Sequence, residues 1–412
     1  MPTYPTYKFT DIASLIRGVS YDKSVVSTTE REGYIPILRA NNIQKDLVLN
    51  DLVYVPSDFV KEEQMIRKGD IVLAMSSGSK DLVGKSAQAD KDINAAFGTF
   101  CGLIRAKENI DSKFLGLYFQ TQEYRNFVSY QSKGVNICNL KKKDIESLQI
   151  PLPPLPTQRA IVSRIEALFA ELDKAAVHLR TAQQQLKTYR QAVLNHWLNN
   201  DDGKWEMVKL KDICLSISDG DHLPPKRTTQ GIPFITISDI KGNCIDYSDV
   251  SYMTEEYYES LSDSRKAQVG DILYTVTGSF GIPVMVEDDK KFCFQRHIGL
   301  VRPNPNLAAQ KWLYYMMQSP IIYSQANEKA TGTAQKTVTL TVLRDFNLPL
   351  PPLTDQHRIV QEIESRLSQA EAAEASISEA LQKTEALRQS ILKKAFSGEF
   401  GVGCPIVVET KI

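Results

Sequence analysis

The sequence lacks several features that would point to specific classes of protein. Its 412 residues contain six cysteines, none in a Cys-x-x-Cys pair, and five histidines that lie far apart. We therefore predict neither a disulfide framework nor a metal site. The longest apolar runs, such as residues 71–75, are far too short to cross a membrane. The first residues do not resemble a signal peptide. These absences together predict a reduced, cytoplasmic protein.

Net charge and catalytic motifs are missing as well. Lys plus Arg and Asp plus Glu number 49 each, so a nucleic-acid partner would have to be recognised by local patches of charge. Residues 78–86 approach a phosphate-binding loop, but five residues separate Gly78 from Gly84, one too many for that motif. The chain carries no amino-methyltransferase motif and no nucleophile–base pair. We expect a chain that is not itself an enzyme and has no cofactor of its own.

What the sequence does contain is one long internal repeat. Residues 150–162 read IPLPPLPTQRAIV, and residues 348–360, 198 positions later, read LPLPPLTDQHRIV. This period exceeds the roughly 20–50 residues of solenoid repeats, so it indicates duplication of a whole domain. A Pro-x-x-Pro ligand for an aromatic groove is an alternative, but the recurrence favours a structural role. We predict globular domains at 1–150 and 205–348, each followed by a long-helix region, at 151–204 and 349–412.

Apolar residues repeat every three or four positions after each Pro-rich run, which is the pattern of a coiled-coil seam. No Gly or Pro interrupts residues 157–199, enough for a helix about 60 Å long. A second apolar stripe at 162, 169, 176, 194 and 197 indicates another covered face. Such helices are most often dimerisation rods, but two in one chain can pair with each other, antiparallel. The predicted seam comprises Ile161, Ile165, Leu168, Leu172, Leu179, Leu186, Ile359, Ile363, Leu367, Ile377, Leu387 and Ile391.

The two globular segments share the order of their features. Each opens with a strand-like piece, at residues 8–12 and 209–213, and continues with a Pro-led apolar strand. A Gly-Asp-Ile strand, a Gly/Ser loop, a strand that ends in Arg and an apolar helix then follow in both. Many short strands with a few helices predict β-rich domains. The expected fold class is α+β, with two β-rich domains in tandem duplication.

The second half carries SDGDHLPPK at 218–226, GIPFI at 231–235 and GDIL at 270–273. Together with the repeated Pro-Leu-Pro-Pro-Leu-x-x-Gln-x-x-Ile-Val element, these runs resemble the specificity (S) subunits of type I restriction–modification enzymes. The resemblance spans essentially the whole chain. The first domain has Arg17-Gly18-Val19-Ser20 near the place of the Asp-Gly-Asp-His run. That difference is expected if the two domains read different DNA sequences.

The resemblance implies two target-recognition domains that each read one half of a bipartite DNA target. Their antiparallel helices, related by pseudo-two-fold symmetry, would set the spacer between the halves and dock two DNA methyltransferase (M) subunits. Catalysis would lie on partner subunits. An adenine-N6 methyltransferase would use S-adenosylmethionine, and an ATP-dependent endonuclease would carry out cleavage. The restriction (R) subunits of that endonuclease are possible further partners. A bivalent protein-binding scaffold is the alternative, and zero net charge favours it. Only the DNA-binding function requires affinity to fall steeply with salt.

Polar loops at matching places in the two domains are the candidate DNA contacts. Asn can read adenine, Arg and Lys can read guanine, and Ser and Thr can bind base or phosphate. In the first domain we predict contacts from Arg39, Asn41, Asn42, Ser76, Ser77, Ser79, Lys80, Lys133 and Asn136. In the second we predict contacts from His222, Lys226, Arg227, Ser238, Thr277, Ser279, Arg296, His297 and Thr333.

Overall fold

The computed structural model describes residues 4–79, 82–131, 138–200, 203–220, 226–332 and 335–400. The chain forms two compact units, Met1–Leu179 with Glu379–Ile412, and Arg180–Ser378. These units divide the chain differently from the four sequence ranges, because each of the two long helices contributes residues to both units. Within the described residues, no helix is long and apolar enough to span a bilayer.

The first unit is built from short strands and helices. Its strands are β1 (Thr6–Lys8), β2 (Ala13–Arg17), β3 (Tyr34–Leu38), β4 (Val53–Pro56), β5 (Ile71–Ala74), β6 (Ser76–Ser77), β7 (Ser86–Gln88), β8 (Ala96–Phe97), β9 (Cys101–Ala106), β10 (Cys138–Asn139) and β11 (Gln149–Pro151). Its helices are α1 (Phe9–Ile12), α2 (Ser112–Tyr118), α3 (Gln122–Gln131), α4 (Lys142–Glu146) and the first part of α5 (Leu155–Leu198). An antiparallel sheet has the order β2-β9-β5-β7, and a smaller one, β4-β3-β8, contains the parallel pair β3–β8.

The second unit repeats this arrangement. Its strands are β12 (Glu206–Lys209), β13 (Cys214–Asp219), β14 (Ile232–Ile235), β15 (Ile240–Lys241), β16 (Cys244–Ile245), β17 (Ser251–Met253), β18 (Ile272–Thr275), β19 (Pro283–Met285), β20 (Cys293–Phe294), β21 (Ile298–Pro303) and β22 (Asn347–Leu350). Its helices are α6 (Glu255–Ser260), α7 (Gln310–Gln318), α8 (Pro320–Lys329), α9 (Leu340–Arg344) and the first part of α10 (Leu353–Ser397). The sheets run β13-β21-β18-β19 and β17-β14-β20, with β14–β20 parallel. The predicted tandem duplication of β-rich domains is confirmed.

The strand-like pieces predicted at residues 8–12 and 209–213 are wrong in their second parts. The strands end at Lys8 and Lys209, and helical turns follow at Phe9–Ile12 and Leu210–Ile213. In the second unit the backbone amide of Lys209 donates to the Asp212 carboxylate at 3.3 Å. An acidic side chain that caps a turn in this way competes with continuation of the strand.

Each long helix is anchored to a globular domain by a glutamine of the repeated element. The Gln158 side chain is buried; its Oε1 accepts from the Asp111 amide at 2.9 Å, and its Nε2 donates to a carbonyl of the Pro-rich run at 2.8 Å. Gln356 makes the same two bonds, the first from the Ala309 amide at 2.7 Å. Because the Pro-rich runs are held against the domains in this way, their structural role is supported over a free Pro-x-x-Pro ligand.

In the first unit the end of α10 packs antiparallel to the start of α5. Arg388 bonds to Asp173 at 2.5 Å, and its guanidinium lies 4.2 Å from the centroid of the Phe169 ring. Farther along, Arg164 of α5 lies over Phe400, just past the end of α10. The residue numbers on one helix fall as those on the other rise, which is the signature of an antiparallel pair.

The second unit contains the complementary parts of the two helices, again antiparallel. Arg190 of α5 bonds to Glu374 of α10 at 3.0 Å, and Arg366 of α10 lies 5.6 Å from the ring centroid of Trp197 on α5. Arg190 precedes Arg388 by 198 residues. The duplicated helices therefore use the same arginine to bind the opposite helix in each unit.

The predicted seam is buried most deeply where the helices meet the domains. Ile161, Ile165, Ile359 and Ile363 are almost fully buried. Seven seam residues are half-buried: Leu168, Leu172, Leu179, Leu186, Leu367, Ile377 and Ile391. Leu387 departs from the prediction, with 42% of its surface exposed, because its neighbour Arg388 takes the position that faces α5. The second stripe on α5 is buried at Val162, Phe169, Ala176 and Leu194.

A buried ion pair links two sequence features that both domains share. Arg105, near the end of β9, bonds to Asp70 of the Gly-Asp-Ile strand at 2.6 Å, and hydrogen bonding to Asp70 raises the pKa of Arg105. Arg302 and Asp271 form the equivalent pair at 2.7 Å. Both aspartate side chains are only 3% exposed. Removing one partner would leave the other charge with no compensation.

We expect Asp70→Asn to lower the free energy of unfolding by about 3 kcal/mol, because it leaves the Arg105 guanidinium without its counter-charge. Urea denaturation followed by circular dichroism measures this change. Glu171→Gln removes an exposed ion pair with Lys174 and serves as the control, with an expected change below about 1 kcal/mol. Equal effects of the two substitutions would contradict the role given to the buried pair.

Candidate nucleic-acid interface

Three loops of the first domain converge at one end of its sheets, and we name them the first loop cluster: residues 39–42, 76–79 and 98–100. The loop 98–100 lies between the other two. The Gly98 amide donates to the Leu38 carbonyl at 2.9 Å, beside the first loop. The Phe100 carbonyl accepts from the amides of Met75 at 2.8 Å and Ser76 at 3.1 Å. These bonds hold the three loops in one surface.

The middle loop is a tight turn with two residues at its tip. The Cys101 amide donates to the Gly98 carbonyl at 2.8 Å, which closes a four-residue β-turn. Thr99 and Phe100 occupy the two central positions, and both side chains are exposed. Because backbone bonds hold the turn on both sides, the two side chains project from a rigid support.

The second domain builds the same surface, the second loop cluster, from residues 236–239, 276–279 and 295–297. The Gln295 amide donates to the Ile235 carbonyl at 3.0 Å, and the Val276 amide donates to the His297 carbonyl at 2.9 Å. The Ile298 amide closes the turn on the Gln295 carbonyl at 2.9 Å. Arg296 and His297 therefore occupy the tip, at the positions of Thr99 and Phe100.

A glycine lies under the turn in each domain. A Cβ atom added to Gly18 would lie 2.0 Å from the Gly98 carbonyl oxygen, and one added to Gly220 would lie 2.0 Å from the Phe294 carbonyl oxygen. No side chain fits at that distance. Gly18 and Gly220 belong to the runs that we aligned from the sequence, so their equivalence is supported by the structure.

Within the first loop cluster, the predicted contacts Arg39 and Asn41 are grouped around one acidic residue. Arg39 donates through Nη2 to the Asp51 carboxylate at 3.0 Å and to the Asp51 carbonyl at 2.7 Å. Asn41 is exposed and its Nδ2 lies 3.4 Å from the same carboxylate. Burial raises the pKa of the Tyr21 hydroxyl, which is close enough to Arg39 to feel its charge. This group offers hydrogen-bond donors at the surface.

The structure gives Asn42 a different role from its neighbours. Asn42 is 1% exposed. Its Oδ1 accepts from the Arg39 amide at 2.9 Å, and its Nδ2 donates to the carbonyls of Val48 and Asn50 at 2.9 and 2.8 Å. The counterpart Asp239 caps its own turn in the same way, from the Thr236 amide at 2.7 Å. This arrangement shapes the loop and leaves no free amide group to read a base.

The serines of the first cluster lie beside the turn tip. Ser76 and Ser77 form β6, which pairs with β10, and both are half-buried. Ser79 is exposed, and its amide donates to the Ser77 hydroxyl at 3.1 Å. Ser76, Ser77 and Ser79 therefore stay available as the predicted donors to base or phosphate.

In the second cluster the exposed candidates are Ser238, Ser279 and Arg296. Thr277 is 6% exposed and faces Thr337 at 3.5 Å between hydroxyl oxygens, so it packs under the surface. His297 is half-buried; burial and the neighbouring Arg296 lower its pKa. The imidazole is therefore mainly neutral at pH 7 and can both donate and accept.

Two further candidates of the second domain lie before β14. Lys226 and Arg227 are exposed, and the Arg227 guanidinium lies 5.5 Å from the Phe234 ring centroid. Among the bonds between described residues, none joins Lys226 or Arg227 to the turn tip. Five predicted contacts, Lys80, Lys133, Asn136, His222 and Thr333, lie outside the described residues.

The sequence reasoning missed Thr99 and Phe100. Their counterparts Arg296 and His297 were predicted because their chemistry suggests DNA contact, whereas a Thr-Phe pair does not. A signal was present: Phe97 and Phe294 each stand directly before the first residue of the turn. An alignment on these phenylalanines matches the two tips. In the part of the chain that the structure describes, no group of three His, Cys, Asp or Glu residues could hold a metal ion.

A cavity of about 450 Å³ lies in the first unit between α2 and α5. Lys113 and Glu166 line it and bond to each other at 2.5 Å, and Lys311 and Glu364 form the same bond in the second unit. These pairs hold each helix on its domain, which is a structural role.

Comparison with known proteins gives this repeated architecture a family. The family model described as "Type I restriction modification DNA specificity domain" matches residues 1–177 and again residues 202–383. The chain belongs to this family of type I restriction–modification specificity subunits. The two matches agree with the two domains and with the tandem duplication.

Two curated relatives of this specificity subunit match along most of their length. The EcoKI specificity subunit of Escherichia coli (strain K12) is 32% identical, over 94% of this chain and 87% of the relative. The StySPI specificity subunit of Salmonella potsdam is 31% identical, over 96% and 89%. Both relatives are specificity subunits of type I restriction enzymes.

Two solved structures share the fold of this specificity subunit. A chain from a study of complex assembly and conformational transition of the type I R-M system superposes with a TM-score of 0.73 at 21% identity, over 97% of this chain and 99% of that one. The HsdS subunit from Thermoanaerobacter tengcongensis superposes with a TM-score of 0.52 at 20% identity, over 97% of each chain.

We expect Gly18→Ala to loosen the turn tip of the first loop cluster, because its Cβ would meet the Gly98 carbonyl. The strain should speed hydrogen exchange of the Val19 and Gly98 amides about tenfold, the equivalent of about 1.4 kcal/mol of lost protection. Exchange measured by mass spectrometry tests this. Gly78→Ala is the matched control, since nothing lies within 4 Å of its added Cβ. Unchanged exchange in Gly18→Ala would contradict the close approach.

Proposed function

We propose that this specificity subunit is non-catalytic and reads a bipartite DNA target, one half with each loop cluster. One observation carries the proposal: the two domains build the same turn tip with three matching backbone bonds, yet present different side chains there. Thr99 and Phe100 stand where Arg296 and His297 stand. A duplicated surface with different side chains suits a target made of two different halves, because base edges are read by side-chain chemistry.

The partners follow from the duplication of the helices. Two DNA methyltransferase subunits would dock at equivalent places on α5 and α10, since a duplicated protein offers two equivalent surfaces. Tyr189 and Leu387, 198 residues apart, are both large apolar residues and are 40% and 42% exposed, which supports a covered surface at matched positions. Adenine-N6 methylation with S-adenosylmethionine, and ATP-dependent cleavage where restriction subunits join, would belong to these partners in the cytoplasm.

A map of adenine methylation tests the proposal in a host that expresses this chain with its methyltransferase partner. We expect a methylated motif of two short specific halves around a fixed gap. Replacing residues 1–150 with the first domain of another specificity subunit should change one half and leave the other half and the gap unchanged. If the two proteins co-purify and no new methylated motif appears, the chain acts as a protein-binding scaffold and the proposal is wrong.

The helices provide a second test, because we propose that they set the spacer. One added helical turn lengthens a helix by about 5.4 Å, or roughly one and a half base pairs. Four residues inserted after both Gln184 and Gln382, which are exposed and 198 residues apart, should keep the helices matched and lengthen the gap by one or two base pairs. Methylation mapping measures the gap. An insertion of seven residues is the comparison, with a proportionally longer gap, and an unchanged gap in both variants would exclude the ruler.

A further inference from the structure

Phe100 is the least expected side chain at the tip of the first loop cluster. It is 66% exposed, at the tip of a turn whose neighbouring loops carry the polar residues Asn41, Ser76 and Ser77. Its carbonyl accepts two backbone hydrogen bonds, so the ring stands on a fixed backbone. A phenylalanine gains about 1.5–3 kcal/mol when it is buried, so a partner that covered this ring would be stabilised by a contribution of that size.

The internal duplication indicates which partner covers Phe100. Several residues that serve the common architecture keep the same chemistry in both domains, as Gln158 and Gln356 show. Two copies of one protein partner would likewise require the same chemistry at equivalent positions. Phe100 instead corresponds to His297, a polar side chain. A position whose chemistry differs between the copies suits a partner whose two halves differ, which is the bipartite DNA.

The chemistry of base edges then narrows the contact. In the major groove the thymine C5-methyl is the apolar group that a base presents, and apolar side chains contact it. The polar neighbours Arg39 and Asn41 would serve the donor and acceptor groups around it. At the other tip, Arg296 and His297 offer hydrogen bonds and suit guanine instead.

We propose that Phe100 is a specificity-determining residue that selects thymine, through its C5-methyl group, in the half of the target read by the first domain. The inference rests on the proposed function and deepens it. It assigns the first domain an apolar contact at the structural position where the second domain uses hydrogen bonds.

Replacement of thymine by deoxyuridine tests the contact atom by atom, since deoxyuridine lacks only the methyl. Binding of the chain in complex with its methyltransferase is measured on duplexes in which each thymine of the first half is replaced in turn. One replacement should weaken binding by the unsubstituted complex about fourfold, the value of one buried methyl. The same replacement should have no effect on the Phe100→Ala complex, and Phe100→Leu should keep part of the preference.

Two controls accompany this measurement. Phe59→Ala removes another exposed phenylalanine of the same domain, 43% exposed and outside the loop cluster, and should keep the full response to deoxyuridine. Deoxyuridine in the second half of the target should act equally on the unsubstituted and the Phe100→Ala complexes.

The proposal is overturned if no replacement separates the unsubstituted complex from Phe100→Ala, or if the mapped first half contains no thymine. It is also overturned if Phe100→Ala weakens binding to every duplex equally. That result would indicate that the ring inserts between base steps or has a structural role. In each of these cases methylation mapping would still give a bipartite motif. Failure of the inference can therefore be distinguished from failure of the proposed function.

Discussion

The fold depends on the way each long helix is tied to the domain that precedes it. Gln158 and Gln356 are buried, and each bonds both to the amide before a domain helix and to the Pro-rich run that leads into the long helix. Breaking either bond would leave a buried polar group unpaired, which costs about 1–3 kcal/mol. The direction in which each helix leaves its domain is set by these bonds and by the isoleucines one turn later.

The two copies also use matching contacts at the opposite ends of the helices. Arg388 of α10 bonds to Asp173 of α5 in the first unit, and Arg190 of α5 bonds to Glu374 of α10 in the second. Each domain therefore packs against the start of its own helix and the end of the other one. A duplicated chain can use one set of contacts twice. The need to keep both copies of each contact then limits which substitutions the helices can accept. The loop tips, which take no part in these contacts, are free to differ.

That freedom suits the function proposed for the two loop clusters. Backbone bonds fix the turns at 98–101 and 295–298, and this support is independent of the side chains at their tips. The first domain can therefore carry Thr99 and Phe100 where the second carries Arg296 and His297, and the fold stays the same. A rigid support with variable side chains is what sequence-specific recognition requires, because a base edge is read only by groups held in place.

The sequence by itself determined the duplication, the extent of both helices and the β-rich class of the domains, because these follow from local periodicity and from a repeat that is visible in the chain. The assembly of the surface was decided by tertiary structure. Asn42 belongs to a polar run and was predicted to contact DNA, yet it is buried as a cap, and Phe100 was overlooked although it stands at the tip. The reason is that loops about 20–40 residues apart are brought together by strand pairing, and the resulting register sets which side chains face solvent. Leu387 makes the same point on the helix, where Arg388 contacts α5 and Leu387 is exposed.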